Sequence, residues 1–231
     1  MARKETVRNA EKLVERAMKG NDASHDAAHV LRVRELALSL AREEGLFSNP
    51  DSMEIVELAA LLHDIAAIVT CRDPSEEKIV ENFLEQECIE EHKKMKILQI
   101  VKGMGFKEEV SGLANGELFP EFGIVQDADR LDAIGAIGIA RCFTFGGSRS
   151  RVLHDPTIQP RSDLSKEQYM KKDEQTTVNH FHEKLLKLKD LMKTKVKANL
   201  PAQAGQKRAE KRHKFMEEFL KEFYEEWDGR A

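Results

Sequence analysis

Residues 58–64, Leu-Ala-Ala-Leu-Leu-His-Asp, join five apolar positions to a histidine and an aspartate. A helix that is apolar on every face is typical of a buried helix in the middle of a domain. His63 and Asp64 follow this apolar run directly, and a buried carboxylate needs a counter-charge or a metal ion. The stretch therefore predicts a central helix of an all-α fold with a functional site at its end.

The remaining chain also has helical periodicity, and no segment alternates long enough to indicate a sheet. Asp51 and Glu54 resemble a capping box that opens the central helix, and Gly45 ends the helix before it. Gly135 and Gly138 fall inside a predicted helix, where we expect a close helix crossing. Helices are predicted at about residues 5–19, 26–44, 52–69, 74–88, 90–102, 108–115, 121–145 and 205–227.

Residues 146–163 are the one long segment without periodicity, and a loop of that length is usually functional or mobile. Ser165 and Gln168 predict the cap of a helix that continues to about Met192. We expect one helical domain over residues 1–194, a linker at 195–204 and a C-terminal helix at 205–231 that packs on the domain, forming a C-terminal helical pair.

Composition limits the classes of function. The net charge of −4 argues against a general nucleic-acid binder, which usually carries a basic surplus. The three cysteines are odd in number and have no CxxC spacing, which is typical of free thiols in a reducing compartment. No apolar leader and no run of about 18 apolar residues occurs. We expect a soluble intracellular protein, cytoplasmic by default, with no nucleic-acid or membrane partner; the sequence does not indicate its oligomeric state.

Four residues that are far apart in the chain predict a single metal site: His29, His63, Asp64 and Asp129. Two neutral imidazoles and two carboxylates suit a divalent ion of intermediate hardness and leave positions for water and a phosphate oxygen. Phosphate hydrolysis is the expected chemistry. Each residue alone also has a simpler interpretation. His29 is explained by solvation or an ordinary hydrogen bond, and Asp129 by a helix cap or an ion pair.

A family resemblance supports this interpretation. His29, residues 61–64 (LLHD) and residues 127–131 (DADRL) resemble the HD superfamily of metal-dependent phosphohydrolases. Residues 125–141, VQDADRLDAIGAIGIAR, together with residues 24–26 (SHD) and the Gly146-Gly147 pair, are similar to the YpgQ-like subgroup. The similarity covers about residues 21–192. The histidine–aspartate doublet alone is weak evidence, whereas the long string is highly specific.

The resemblance implies an all-α HD-domain fold and a divalent ion bound through His29, His63, Asp64 and Asp129. Mn²⁺ is favoured, with Mg²⁺, Co²⁺, Ni²⁺, Fe²⁺ or Zn²⁺ as alternatives. Asp64 would help to activate a metal-bound water. The activity implied is hydrolysis of a nucleoside triphosphate phosphoanhydride with release of pyrophosphate. Asp127 and Asp132 compete with Asp129 for the fourth ligand position, but the family's Ala-Asp-x-Leu element places that role on Asp129. Asp127 and Asp132 would then hold the ligand residues in place without binding the metal themselves.

One departure from the family pattern concerns turnover. Relatives commonly carry polar residues after the doublet, whereas residues 65–69 here are apolar, with Ala67 in place of a carboxylate. A general acid or base is typically worth about 10²–10⁴-fold in rate. A catalytically weak metal- or nucleotide-binding module therefore stays open. Two related enzyme activities also stay open, hydrolysis of (p)ppGpp and hydrolysis of a nucleoside 5′-monophosphate.

Predicted substrate contacts are basic. Lys102 and Lys107 flank a glycine-containing break, Arg130 adjoins the proposed ligand, and Arg149 and Arg151 lie in the predicted loop, where they would form a lid with bidentate phosphate contacts. Solvated surface positions or ion pairs are the alternative interpretation. Further histidines suggest a second metal, although solvated or core-edge positions are the commoner explanation: His92, His154, His180 and His182.

Overall fold

The computed structural model describes residues 2–65, 68–69, 73, 77–104, 119–161, 175–194 and 204–230. Over these residues the secondary structure is helical, without a strand, which confirms the all-α prediction. The α-helices are α1 Ala2–Ala17, α2 Ala27–Glu43, α3 Pro50–Leu62, α4 Ile79–Gln86, α5 Glu91–Gly103, α6 Pro120–Asp132, α7 Gly135–Ser148, α8 Asn179–Glu183 and α9 Ala204–Trp227. Two 3₁₀ helices span Leu46–Ser48 and Leu185–Leu191.

The chain forms two compact units, residues 1–128 and 129–231, and the boundary falls within α6. The earlier division into a domain at 1–194, a linker and a C-terminal helix stays a prediction. Among the described helices, none is both long and apolar enough to span a lipid bilayer.

In the first unit, α3 is the central helix, as its apolar sequence predicts. It packs against α1, α2 and α5, and ten of its side chains are buried. Its start differs from the predicted capping box. The Asn49 side chain accepts hydrogen bonds from the backbone N–H groups of Asp51 and Ser52, and Pro50 occupies the first helical turn, where its missing N–H is harmless.

The end of α3 also differs from the prediction of a continuous helix to residue 69. The α-helix ends at Leu62, His63 follows as its C-cap in αR geometry, and residues 63 and 64 form a turn before helical conformation resumes at Ile65. The apolar run is long enough to suggest one helix, but the polar doublet interrupts it. The functional residues therefore lie at a helix end and not along a helix edge.

In the second unit, α7 packs against α9, and α9 packs against the 3₁₀ helix at Leu185–Leu191. The predicted single helix at 121–145 is wrong, because Ile134 is extended and separates α6 from α7. Gly135 begins α7 with φ +76°, a conformation that L side chains rarely adopt. The close approach that the glycines predict is present: a Cβ at Gly135 would lie 2.9 Å from Cγ of Arg212.

Two further boundaries correct the predictions for this unit. Helix α7 continues to Ser148, so Gly146 and Gly147 lie in its last turns, and the irregular segment starts at Arg149. The predicted continuous helix to Met192 is interrupted at Lys184, where φ is −133°, and continues as a 3₁₀ helix. The C-terminal helix is confirmed as Ala204–Trp227.

Several predicted features lie outside the described residues. They are the helix start at residues 74–76, the short helix at 108–115, the cap formed by Ser165 and Gln168, nearly all of the 195–204 linker, Lys107, and the Ala66-Ala67 pair.

Candidate metal centre

Two helices of the first unit bring His29, His63 and Asp64 together. The three side chains offer ligand atoms that all lie within 4.8 Å of one another. His29 comes from the first turn of α2, and His63 and Asp64 come from the turn that ends α3. Among the residues that the structure describes, these three form the only cluster of histidine, cysteine or acidic side chains whose ligand atoms lie close enough together to hold a metal ion.

Helix capping fixes His29. The Asp26 side chain caps α2 by accepting a hydrogen bond of 2.9 Å from the backbone N–H of His29. The His29 ring is buried and its centroid lies 5.3 Å from that of His63, edge to face. An N-cap of this kind holds both the helix and the position of the ligand residue.

A backbone carbonyl selects the tautomer of His63. Nδ1 of His63 lies 2.8 Å from the carbonyl oxygen of Ala60. Because a carbonyl only accepts, Nδ1 carries the hydrogen, and in the neutral ring Nε2 then carries the lone pair. This is the arrangement by which metal-binding histidines are usually oriented. The Nε2 atom faces Asp64, whose Oδ2 lies 3.5 Å away.

The Asp64 carboxylate is the shared centre of the group. Its Oδ2 lies 3.3 Å from Nε2 of His29 as well as facing His63, and the side chain is 27% exposed. Burial opposes ionisation, but the charges of His63 and His29 and the hydrogen bond from His29, with a smaller contribution from His25, lower the pKa of Asp64 below its ordinary value. An anionic oxygen held between two imidazoles, with access to solvent, fits a divalent cation well.

His25 lies beside this group, although no role for it was predicted from the sequence. Its ring is exposed and lies 6.2 Å, centroid to centroid, from that of His29. The buried Ser24 hydroxyl donates to Asp22, and therefore accepts from Nδ1 of His25 at 2.7 Å. The four-residue spacing between His25 and His29 was the available signal, but the segment before α2 is not helical, so periodicity gave no reason to pair them.

The three competing aspartates of α6 have different environments. Asp127 is fully buried in the first unit. Asp132 is buried in the second unit, and its Oδ2 lies 3.1 Å from Nη1 of Arg141 in an ion pair. Asp129 is the first residue of the second unit and is partly exposed. The assignment of Asp129 as the fourth ligand stays a prediction.

The predicted phosphate contacts also differ in their surroundings. Lys102 is exposed at the end of α5. Arg130 is buried and donates to the carbonyl oxygen of Leu191. Arg149 and Arg151 place their guanidinium groups over the ring of Phe145, 5.4 and 5.1 Å from its centroid. Substrate binding by these residues stays a prediction.

The buried cysteine of the second unit does not resemble a nucleophile. Cys142 is buried, and burial raises the pKa of its thiol to about 12, against the opposing charge of Arg151. A thiol with so high a pKa is protonated at neutral pH and reacts poorly. Cys88 is an exposed free thiol.

Comparison with known proteins gives a consistent family. A model of the HD domain matches residues 26–134. YpgQ of Bacillus subtilis strain 168 is 32% identical over 185 residues, which cover 78% of each chain.

Solved structures extend the similarity over the whole chain. A protein of Lactobacillus plantarum has a TM-score of 0.81 at 30% identity, with 99% of this chain and 100% of that chain covered. An HD-superfamily hydrolase of Bacillus thuringiensis has a TM-score of 0.68 at 37% identity, with 98% of both chains covered. YpgQ in complex with ADP has a TM-score of 0.70 at 28% identity, with 98% of this chain and 97% of that chain covered.

Proposed function

We propose that this chain, which belongs to the HD-domain family and to its YpgQ-like subgroup, is a divalent-metal-dependent phosphohydrolase that acts on nucleotides. The observation that carries the proposal is the grouping of His29, His63 and Asp64 around one point. A bound divalent ion would supply Lewis acidity to a phosphoryl oxygen and to an attacking water. The protein residues hold and orient the ligand atoms.

The protein residues do three things at this centre. The Asp26 cap fixes the backbone of His29, and the Ala60 carbonyl fixes the His63 tautomer. Asp64 stays ionised because its pKa is lowered by the nearby histidine charges and by the hydrogen bond from His29, so an anionic ligand atom is present at neutral pH. Pre-orientation of this kind lowers the reorganisation that metal and substrate binding would otherwise require.

A nucleotide is the proposed substrate because a relative was crystallised with one: YpgQ is known in complex with ADP. Within this class we propose hydrolysis of a nucleoside triphosphate phosphoanhydride with release of pyrophosphate, with Mn²⁺ as the preferred ion. Asp129 is the proposed fourth ligand. Lys102, Lys107, Arg130, Arg149 and Arg151 are the proposed phosphate contacts.

The test begins with full-length protein stripped of metal by EDTA and reloaded separately with Mn²⁺, Mg²⁺, Co²⁺, Ni²⁺, Fe²⁺ and Zn²⁺. Each form is given nucleoside mono-, di- and triphosphates and (p)ppGpp, and the products are separated by anion-exchange chromatography. We expect pyrophosphate and a nucleoside monophosphate from triphosphates, fastest with Mn²⁺. The absence of metal-dependent hydrolysis in every combination would refute an enzymatic function.

Variants connect the activity to the site. The double substitution His63→Ala with Asp64→Ala should abolish hydrolysis, because it removes two of the three grouped ligands. His92→Ala is the matched control, because His92 is an exposed histidine of the same unit that faces Asp51 and Glu90. Equal activity in the double variant and the control would disprove the site.

The sequence leaves open one alternative of another class, a metal- or nucleotide-binding module with weak turnover, because Ala67 stands where relatives commonly carry a polar or charged residue. In that case the unmodified chain binds Mn²⁺ but turns over slowly, and Ala67→Glu raises the rate by about 10²-fold or more. Fast turnover by the unmodified chain would exclude this alternative.

A further inference from the structure

A groove of about 420 Å³ lies in the second unit, between the start of α7 and the middle of α9. Ligand pockets commonly have volumes of about 300–1,000 Å³. Its chemistry is divided into a cationic part and an apolar part. The side chains that decide its character are Arg208, Lys211, Arg212, Ile134, Ile137 and Phe215.

The cationic part comes from α9. Arg208, Lys211 and Arg212 are three and four residues apart, so they share one face of the helix. No acidic side chain is among the described residues that line the groove. Three positive charges on one concave surface favour an anionic occupant.

Arg212 is held in place by the fold. Its Cγ would lie 2.9 Å from a Cβ at Gly135, so the glycine makes room for the arginine stem, and its guanidinium donates to the carbonyl oxygen of Leu131. Burial and the nearby charge of Arg208 lower the pKa of Arg212, against the opposing charge of Asp132. Like charges held close together become more stable when an anion binds between them.

The apolar part is exposed. Ile137 of α7 is 45% exposed and Phe215 of α9 is 49% exposed, although both line the same groove as the cations. An aromatic ring beside guanidinium groups suits a ligand that has a flat apolar group and negative charge together. Nucleobases stack on such rings regardless of base identity, and phosphates pair with the arginines.

We propose that this groove is a nucleotide-binding site, in which Arg208, Lys211 and Arg212 bind the phosphates and Phe215 with Ile137 contacts the base. The site shares no residue with the His29–His63–Asp64 group. The inference does not depend on the proposed hydrolase function, because binding is measured with the metal removed.

The experiment is isothermal titration of the full chain, in EDTA and low salt, with ADP and separately with pyrophosphate. Lys211→Gln should weaken both ligands about tenfold, because a hydrogen bond to a charged group typically contributes enough for that change. Lys221→Gln is the matched control on the same helix, since Lys221 is exposed and lies outside the groove. Phe215→Ala should weaken ADP alone, and Phe47→Ala, which changes an exposed phenylalanine of the first unit, should change neither.

Three results would overturn the proposal. One is the absence of ADP binding in EDTA. Another is an ADP affinity that the double substitution Arg208→Gln with Lys211→Gln leaves unchanged. The third is self-association of the chain that Phe215→Ala abolishes, because the apolar half of the groove would then be an interface between copies and not a ligand surface.

Discussion

Two clusters in this molecule contain the same kinds of side chain, yet only one is suited to a metal ion. In the first unit His63 adjoins Asp64 and a second imidazole, that of His29, faces the same carboxylate. In the second unit His180 lies three residues before Glu183, but the Glu183 carboxylate already forms an ion pair with Arg161. The backbone N–H, Nε and Nη2 of Arg161 all donate to Glu183, at distances of 2.8–3.1 Å.

The surrounding charge explains the difference. Burial lowers the pKa of His180 to about 3, and the charges of Lys184, Arg151 and Arg161 act in the same direction against the opposing charge of Glu183. A cation would meet these three positive groups and find the carboxylate already paired. Histidine and carboxylate in proximity are therefore an insufficient sign of a metal site. The charge of the next neighbours decides the outcome.

The largest expected effect is on metal affinity. His63→Ala should weaken Mn²⁺ binding by more than about 100-fold, because even loss of a group that only supports a ligand typically weakens binding by 10–100-fold. His180→Ala and His182→Ala should leave the affinity within about twofold of the unmodified chain. Titration with Mn²⁺, followed by the loss of the free-ion electron paramagnetic resonance signal, measures this. Equal losses of Mn²⁺ affinity in the three variants would contradict the conclusion that only the first cluster is suited to a metal ion.

The next effect is on stability. Arg161→Met should destabilise the chain by about 3–5 kcal/mol, because it removes the guanidinium counter-charge from the buried Glu183 carboxylate and leaves it only the backbone N–H of residue 161. For a chain of this size each kcal/mol corresponds to roughly 2–4 °C in Tm. Arg149→Met, at an exposed position, should stay within about 0.5 kcal/mol. Calorimetry distinguishes the two, and an unchanged Tm for Arg161→Met would mean that the ion pair has no structural role.

A smaller effect separates capping from ligand positioning. Asp26→Ala and Asn49→Ala each remove an N-cap and should each cost about 1 kcal/mol of stability. Only Asp26→Ala should also weaken Mn²⁺ binding, because Asp26 holds the backbone N–H of His29. Denaturant unfolding and Mn²⁺ titration are both needed. Matching metal affinities in the two variants would show that the cap does not position the ligand.

The last effect is a pH dependence in the second unit. The pKa of His180 is lower in the folded chain than its usual 6.5, so the unfolded chain binds more protons below that pH. The resulting stability is fully present above about pH 6.5 and is lost as pH falls toward 3. His180→Gln should therefore lose less Tm between pH 7 and pH 5 than the unmodified chain does, by a few degrees. Parallel Tm profiles would contradict the burial of a neutral imidazole.

The sequence predicted the main architecture because its signals are local and repeated. Helical periodicity predicted the all-α class, and the apolar run at residues 58–62 predicted a buried central helix. The breaks between helices were harder to predict from the sequence. Periodicity continues through Asp132 and Gly135, so it did not indicate the extended Ile134 between α6 and α7, nor the tertiary contact in which Gly135 makes room for Arg212 of α9.

The sequence also predicted the metal site only in part. His29, His63 and Asp64 were expected to meet, and their ligand atoms do lie close together. The expectation that the doublet lies within a continuous helix was wrong, because α3 ends at Leu62. The His63 tautomer depends on a contact with a backbone carbonyl, about which residue spacing carries no information, and the four-residue spacing of His25 and His29 was no guide because the segment before α2 is not helical.

The most direct test of the metal centre is electron spin echo envelope modulation of Mn²⁺ bound to full-length protein labelled with ¹⁵N-histidine. Two directly coordinated imidazole nitrogens should couple to the ion. His29→Ala and His63→Ala should each leave one coupling, and His182→Ala should leave both. A spectrum without histidine coupling, or one whose couplings persist in the His29 and His63 variants, would contradict the assignment of this cluster as the metal site.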